Sequence, residues 1–191
     1  MIIYRHSKFL DIVETTEIAT GLKTRAPRYR VPASMMTDSQ PAPAPTGFFS
    51  AVIAKTTDAG ETWTVQFNDT KNEFYFNDIS CATADACVAV GESGDGSPAL
   101  GNRIYATKDG GATWTMTHND QGGQFGCSGI RMTSATDATA ACTEAISQFK
   151  VNAMFLTSTD GGFTWTVANV PGGSPTDLDM SSSTSGYATG A

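Results

Sequence analysis

Three stretches of this 191-residue sequence set a carboxylate among hydroxyls and glycine in the same order: TTDAGETW at 56–63, TKDGGATW at 107–114 and STDGGFTW at 158–165. Carboxylates can serve as general acids or bases, as nucleophiles, or as ligands for hard cations. Asp58, Asp109 and Asp160 stand 51 residues apart. A reaction centre needs one converging constellation, whereas this chain carries three copies in register, and a period near fifty marks a repeated structural unit. The boxes comprise Thr56, Asp58, Gly60, Thr62 and Trp63; Thr107, Asp109, Gly111, Thr113 and Trp114; and Ser158, Asp160, Gly162, Thr164 and Trp165. Their expected role is structural, because the glycine accepts positive φ and the Asp side chain accepts bonds from turn amides.

The other reactive side chains are few. Cys81 and Cys87 flank a short segment in ISCATADACVAVG, and Cys127 and Cys142 bracket another. Two local pairs predict disulfides and an oxidising compartment, although two other pairings are formally open. Closing the loop between Cys127 and Cys142 is worth about 3 kcal/mol. Zinc is the weaker alternative, because His6 and His118, the only histidines, stand at no ligand spacing from a cysteine pair. The sequence contains no glycine-rich phosphate loop, no plausible Ser-His-Asp set and no metal motif, so no catalytic residue, metal ligand or cofactor is assigned. GESGDGSPALGN at 91–102 lacks the alternating carboxylates of a calcium loop and reads as a plain connection, as does HNDQGGQFGCSG at 118–129. The triplet NDT at Asn68 is a glycosylation sequon, in keeping with an extracytosolic protein.

The elements that position these residues read as strands. Before each box lies a short run with β character: AVIAKT at 51–56, NRIYAT at 102–107 and NAMFLT at 152–157. After each box Trp alternates with Thr, a period of two that suits a half-buried strand. Each box is therefore expected to turn a β-hairpin. Between the boxes, DISCATADACVAVGES (78–93), SGIRMTSATDATAACTEA (128–145) and TDLDMSSSTSGYATG (176–190) share an alternating strand, a small polar turn and a second strand. That makes four strands per unit of about 51 residues, the size of one blade of a β-propeller. The expected fold is all-β: a partial β-propeller of four-stranded antiparallel blades with complete units near 66–116 and 117–167. Phe74, Tyr75 and Phe76 precede a strand and are read as packing residues rather than a glycan-stacking platform.

Residues 1–46 share no period with 47–191 and form a separate extension, basic and then Pro-rich, ending in TDSQPAPAPTG, whose prolines favour an extended linker. Among residues 1–30, six basic residues face three acidic ones, leaving six basic against sixteen acidic downstream. The acidic body repels a phosphate backbone, which argues against nucleic acid as a partner. No stretch approaches the roughly 18–20 apolar residues of a transmembrane helix. The segment that opens the sequence lacks the continuous apolar run of a secretory signal.

The pattern Ser/Thr-x-Asp-x-Gly-x-Thr-Trp, matched at every fixed position in all three copies, resembles the Asp box of bacterial-neuraminidase-type repeats, over residues 47–191. The resemblance implies that each Asp caps the turn between the third and fourth strands of a blade, with the Trp packed beneath. VAVG (88–91) and YATG (187–190) make the spacing similar to propellers of the photosystem II stability and assembly factor type, which bind a partner through a basic surface, and to secreted Asp-box proteins, which the cysteine pair resembles more. Sialidases also carry Asp boxes, with an upstream Arg-Ile-Pro whose arginine grips the substrate carboxylate. YRVP at 29–32 resembles it and makes Arg30 a candidate ligand residue. No Tyr-Glu nucleophile pair can be assigned. The expected function is a non-catalytic scaffold or binding module presenting loops to a protein or glycan partner, the alternative being a fragment of a glycoside hydrolase. Propellers have roughly four to eight blades, so further blades are expected from a longer polypeptide or from neighbouring chains.

Overall fold

In the computed structural model, the structure describes residues 2–6, 9–13, 50–72, 74–93, 101–120, 126–147 and 150–191. The described residues form fourteen strands and no helix. Contacts divide the chain between Ala42 and Pro43, four residues before the expected boundary. The first unit contains one antiparallel hairpin, β1 (Ile2–His6) with β2 (Phe9–Val13), which the reading of residues 1–46 as an extension did not assign. The Pro-rich linker and Arg30 lie outside the described residues.

The second unit is a series of antiparallel sheets following the 51-residue period. A hairpin of β3 (Ala51–Lys55) and β4 (Thr64–Asp69) comes first. A four-stranded sheet follows in sequential order: β5 (Phe74–Cys81), β6 (Cys87–Ser93), β7 (Asn102–Thr107) and β8 (Thr115–Asp120). The next sheet repeats it with β9 (Cys127–Met132), β10 (Ala138–Ser147), β11 (Lys150–Ser158) and β12 (Thr166–Pro171). A second hairpin, β13 (Pro175–Ser182) with β14 (Ser185–Gly190), comes last. Among the described residues no strand of this hairpin pairs with a strand of the first.

Two expectations shift. The complete sheets run 74–120 and 127–171 rather than 66–116 and 117–167, because the strand after each box stays paired along its whole length with the strand before it. Trp63, Trp114 and Trp165 sit at the close of the turn, just before β4, β8 and β12, rather than inside those strands.

The sheets bury their faces against one another. Val88, Val90, Ile104 and Ala106 of one four-stranded sheet form a core with Cys127, Ile130, Ala140, Met154 and Leu156 of the next. Each fully buried aliphatic side chain contributes about 1.5–3 kcal/mol. A second cluster joins Ala51 and Phe67 of the first hairpin to Phe74, Phe76, Tyr105 and Trp114. Phe67 meets Tyr105 edge to face at a centroid distance of 4.9 Å, a favoured aromatic geometry. Phe74 is fully buried and opens β5 instead of preceding a strand, and Phe74 and Phe76 pack in this cluster, whereas the Tyr75 hydroxyl bonds Glu92.

Candidate functional site

The boxes form one turn built three times. In the second copy the Thr107 hydroxyl donates to Asp109 Oδ1 at 2.8 Å and accepts the amide of Gly111 at 3.0 Å. Asp109 Oδ1 also accepts the amide of Thr113 at 2.9 Å, and Oδ2 accepts the Thr113 hydroxyl at 2.5 Å. The Thr56–Asp58–Gly60–Thr62 set reproduces these bonds. So does Ser158–Asp160–Gly162–Thr164, which adds the Phe163 amide at 3.0 Å. The chain must pass through two successive left-handed residues to make the turn: Gly110 and Gly111 at φ 71° and 88°, Gly161 and Gly162 at 80° and 88°. The first copy has Ala59 at φ 57° beside Gly60, a position where a side chain costs about 1–2 kcal/mol.

These bonds determine the acidity of the boxes. The Thr62 hydroxyl and amide hold Asp58 down to about 2, and the Thr113 hydroxyl and amide do the same for Asp109. Asp160 is likewise held at about 2, by Thr164 first. Hydrogen bonds to a carboxylate favour its charged form. At neutral pH each box carboxylate is an ionised acceptor engaged by three or four donors of its own turn.

Each turn also seats on its surroundings. The Gly110 amide donates to Asp85 O at 3.1 Å and the Gly161 amide to Thr136 O at 2.7 Å, tying the box to the turn between the first two strands of its own sheet. The Trp165 indole donates to Thr117 Oγ1 of the preceding sheet at 3.1 Å. Trp114 packs into the aromatic cluster with the first hairpin, while Trp63 is 43% exposed.

Charge and polarity concentrate where β5, β9 and β13 lie side by side. Arg131 on β9 reaches Asp78 of β5 at 3.1 Å, Asp179 of β13 at 3.6 Å and Asp177 at 3.9 Å. Asp78 Oδ2 also accepts the Ile130 amide at 3.0 Å, and Ser80 Oγ accepts the Met132 amide at 3.0 Å. Side chains of one sheet thereby satisfy edge amides of the next. Beside them opens a polar cleft of about 380 Å³, lined by Asn77, Glu92, Ser128, Thr143, Ser174 and Thr176 among others. Its groups are largely engaged: Asn77 donates to Cys127 O at 2.9 Å, Ser128 to Pro175 O at 2.6 Å, and Thr143 and Ser174 share a bond of 2.9 Å. The Tyr75 hydroxyl donates to Glu92. Among the described residues no group of three or more His, Cys, Asp or Glu side chains is arranged to hold a metal.

The four cysteines form the two local bridges, Cys81–Cys87 and Cys127–Cys142. Both link facing residues of a sheet's first two strands, but at opposite places: Cys81–Cys87 next to the connecting turn, Cys127–Cys142 at the far side of its hairpin. They are not equivalent positions of the repeat. Sequence reasoning located the boxes and the cysteines but missed the Asp78–Arg131–Asp179 group and the cleft. Arg131 sits in a strand as expected, yet its partners come from other sheets, and no local spacing signals them. Comparison with protein families, curated proteins and solved structures finds no match to this chain.

Proposed function

We propose that this chain is an Asp-box repeat protein of the β-propeller type, working outside the cytosol as a non-catalytic scaffold that presents its loops and polar cleft to a protein or glycan partner. The observation that carries this reading is that Asp58, Asp109 and Asp160 each accept three or four hydrogen bonds from donors of their own turns. A carboxylate held ionised by three or four donors of its own turn is a poor general acid or base, nucleophile or cation ligand. Four-stranded sheets stacked face to face, with a box between the third and fourth strands, support the blade reading. Two disulfides support an oxidising compartment, and no helix among the described residues is long and apolar enough to cross a membrane.

A glycoside hydrolase needs two carboxyl groups facing one cleft about 5–10 Å apart. The cleft's carboxylate is Glu92, held by Tyr75. Arg131, which a sialidase-like site would leave open to substrate, is engaged by aspartates. The test pairs a glycan and peptide array with fluorogenic glycosides. Expected is binding without turnover, weakened at least tenfold (about 1.4 kcal/mol) by Thr176→Trp, which fills the cleft. Hydrolysis at ordinary enzyme rates that Glu92→Gln abolishes would overturn the scaffold reading.

A further inference from the structure

Cys81 and Cys87 face each other across β5 and β6 and close the turn 82–86 with a disulfide. Both belong to a complete four-stranded sheet. The next sheet repeats that turn at 133–137, where Met132 and Ala138 hold the same facing positions and cannot be bridged.

The two turns are otherwise alike. The Ala82 amide donates to Ala86 O at 3.1 Å, and the Thr133 amide to Asp137 O at 3.0 Å. Thr83 Oγ1 accepts the amides of Asp85 and Ala86 at 3.3 and 3.0 Å, and Ser134 Oγ accepts those of Thr136 and Asp137 at 3.1 and 2.9 Å. Each turn then receives a box glycine, Gly110 on Asp85 O and Gly161 on Thr136 O. Hydrogen bonds alone therefore make this turn and seat its box, and the Cys81–Cys87 bridge is needed for neither.

The two bridges also differ in access. Cys127 and Cys142 are wholly buried in the core between sheets, out of reach of a thiolate while the chain stays folded. Cys81 is exposed, while Cys87 behind it is 8% exposed. Disulfide exchange requires a thiolate to reach one of the two sulfurs, and exposed bridges belong to the labile class. Here the approach is from the Cys81 side.

We propose that Cys81–Cys87 is a thiol–disulfide exchange site, with Cys81 the residue that a partner dithiol attacks and Cys87 the resolving thiol. The incoming thiolate bonds to Cys81 Sγ as the bridge breaks, and Cys87 Sγ takes the electron pair and then a proton from solvent. Thr83 O stands 4.0 Å from Cys87 Sγ, within reach of that new S–H. The dithiol's second thiolate attacks its own sulfur in the mixed disulfide and releases Cys81. Two electrons have then passed from the dithiol to the bridge, the dithiol leaves as a disulfide, and the chain holds two thiols. In the reverse direction Cys81 attacks a partner's disulfide. Cys87 then attacks Cys81 Sγ, closing the bridge and freeing the partner as a dithiol. The turn keeps its shape throughout, as its copy at 133–137 does without a bridge.

The test uses the full chain, with dithiothreitol as the dithiol and alkylation followed by peptide mass mapping as the readout. In native buffer Cys81 and Cys87 are expected to open at least about tenfold faster than Cys127 and Cys142, with the circular dichroism spectrum unchanged. Oxidised glutathione separates the two sulfurs. Cys87→Ala should take it up at Cys81 at least about tenfold faster than Cys81→Ala takes it up at Cys87. Opening of both bridges at one rate, or of the first only with loss of the β spectrum, makes the bridge structural and overturns the proposal. Equal uptake by the two variants, or the loss of the folded spectrum in either, overturns it as well.

Discussion

The Ser or Thr two residues before each Asp does as much for the box as the Asp itself. Thr107 is buried, and its hydroxyl at once donates to Asp109 and accepts the Gly111 amide. Thr107→Val keeps the shape but strips the donor and acceptor, so about 1–3 kcal/mol of stability should be lost. Urea unfolding measures it directly. Thr56→Val, at the more open first box, should cost less. The carboxylates set a pH dependence whose direction follows from their depressed acidity. Folded values of about 2 against the ordinary 3.8 mean that stability from the boxes is fully present above 3.8 and disappears as pH falls toward 2. A melting temperature recorded between pH 5 and 2 should therefore drop most steeply within that window. A flat profile would show that the boxes do not bear on stability.

At the scale of elements, the sheets are joined by apolar faces and by side chains that reach the next sheet's backbone. Asp78 is the clearest of these, accepting both the Ile130 amide and the Arg131 guanidinium. Asp78→Ala leaves that amide without an acceptor and Arg131 with its more distant partners. We expect a loss of about 1–3 kcal/mol, visible as a lowered denaturant midpoint at unchanged slope. Chain entropy assigns the 15-residue Cys127–Cys142 separation about 3 kcal/mol, and less to the shorter Cys81–Cys87 separation.

For the whole molecule, stability should follow the stacking of sheets rather than position in the chain. β6 and β10 are inner strands of their sheets, and Val88, Val90, Ala138, Ala140 and Cys142 from them supply five of the eleven buried residues of the larger core. Amide hydrogen exchange should be slowest in β6, β7, β10 and β11 and fastest among exposed turn residues such as 182–184. Uniform protection across all fourteen strands would contradict this gradient. The excess of acid downstream of residue 30 is spread over these sheets, and some of it is spent internally, as at Asp78 and the three boxes.

How much was legible in the sequence follows from the range of each interaction. Asp58, Asp109 and Asp160 bond within four residues of themselves, so the type and spacing of a few side chains determined the turn. Strand alternation and the 51-residue period likewise determined an all-β repeat of four strands, because they record which side of each strand is covered. Sheet limits slipped by several residues because pairing length depends on the partner strand, as β8 shows against β7. Tertiary structure alone decided that Arg131 meets Asp78 and Asp179, and that the cleft opens beside them. Those facts depend on which sheet lies next to which, and residues some fifty positions apart leave no mark on one another's local pattern.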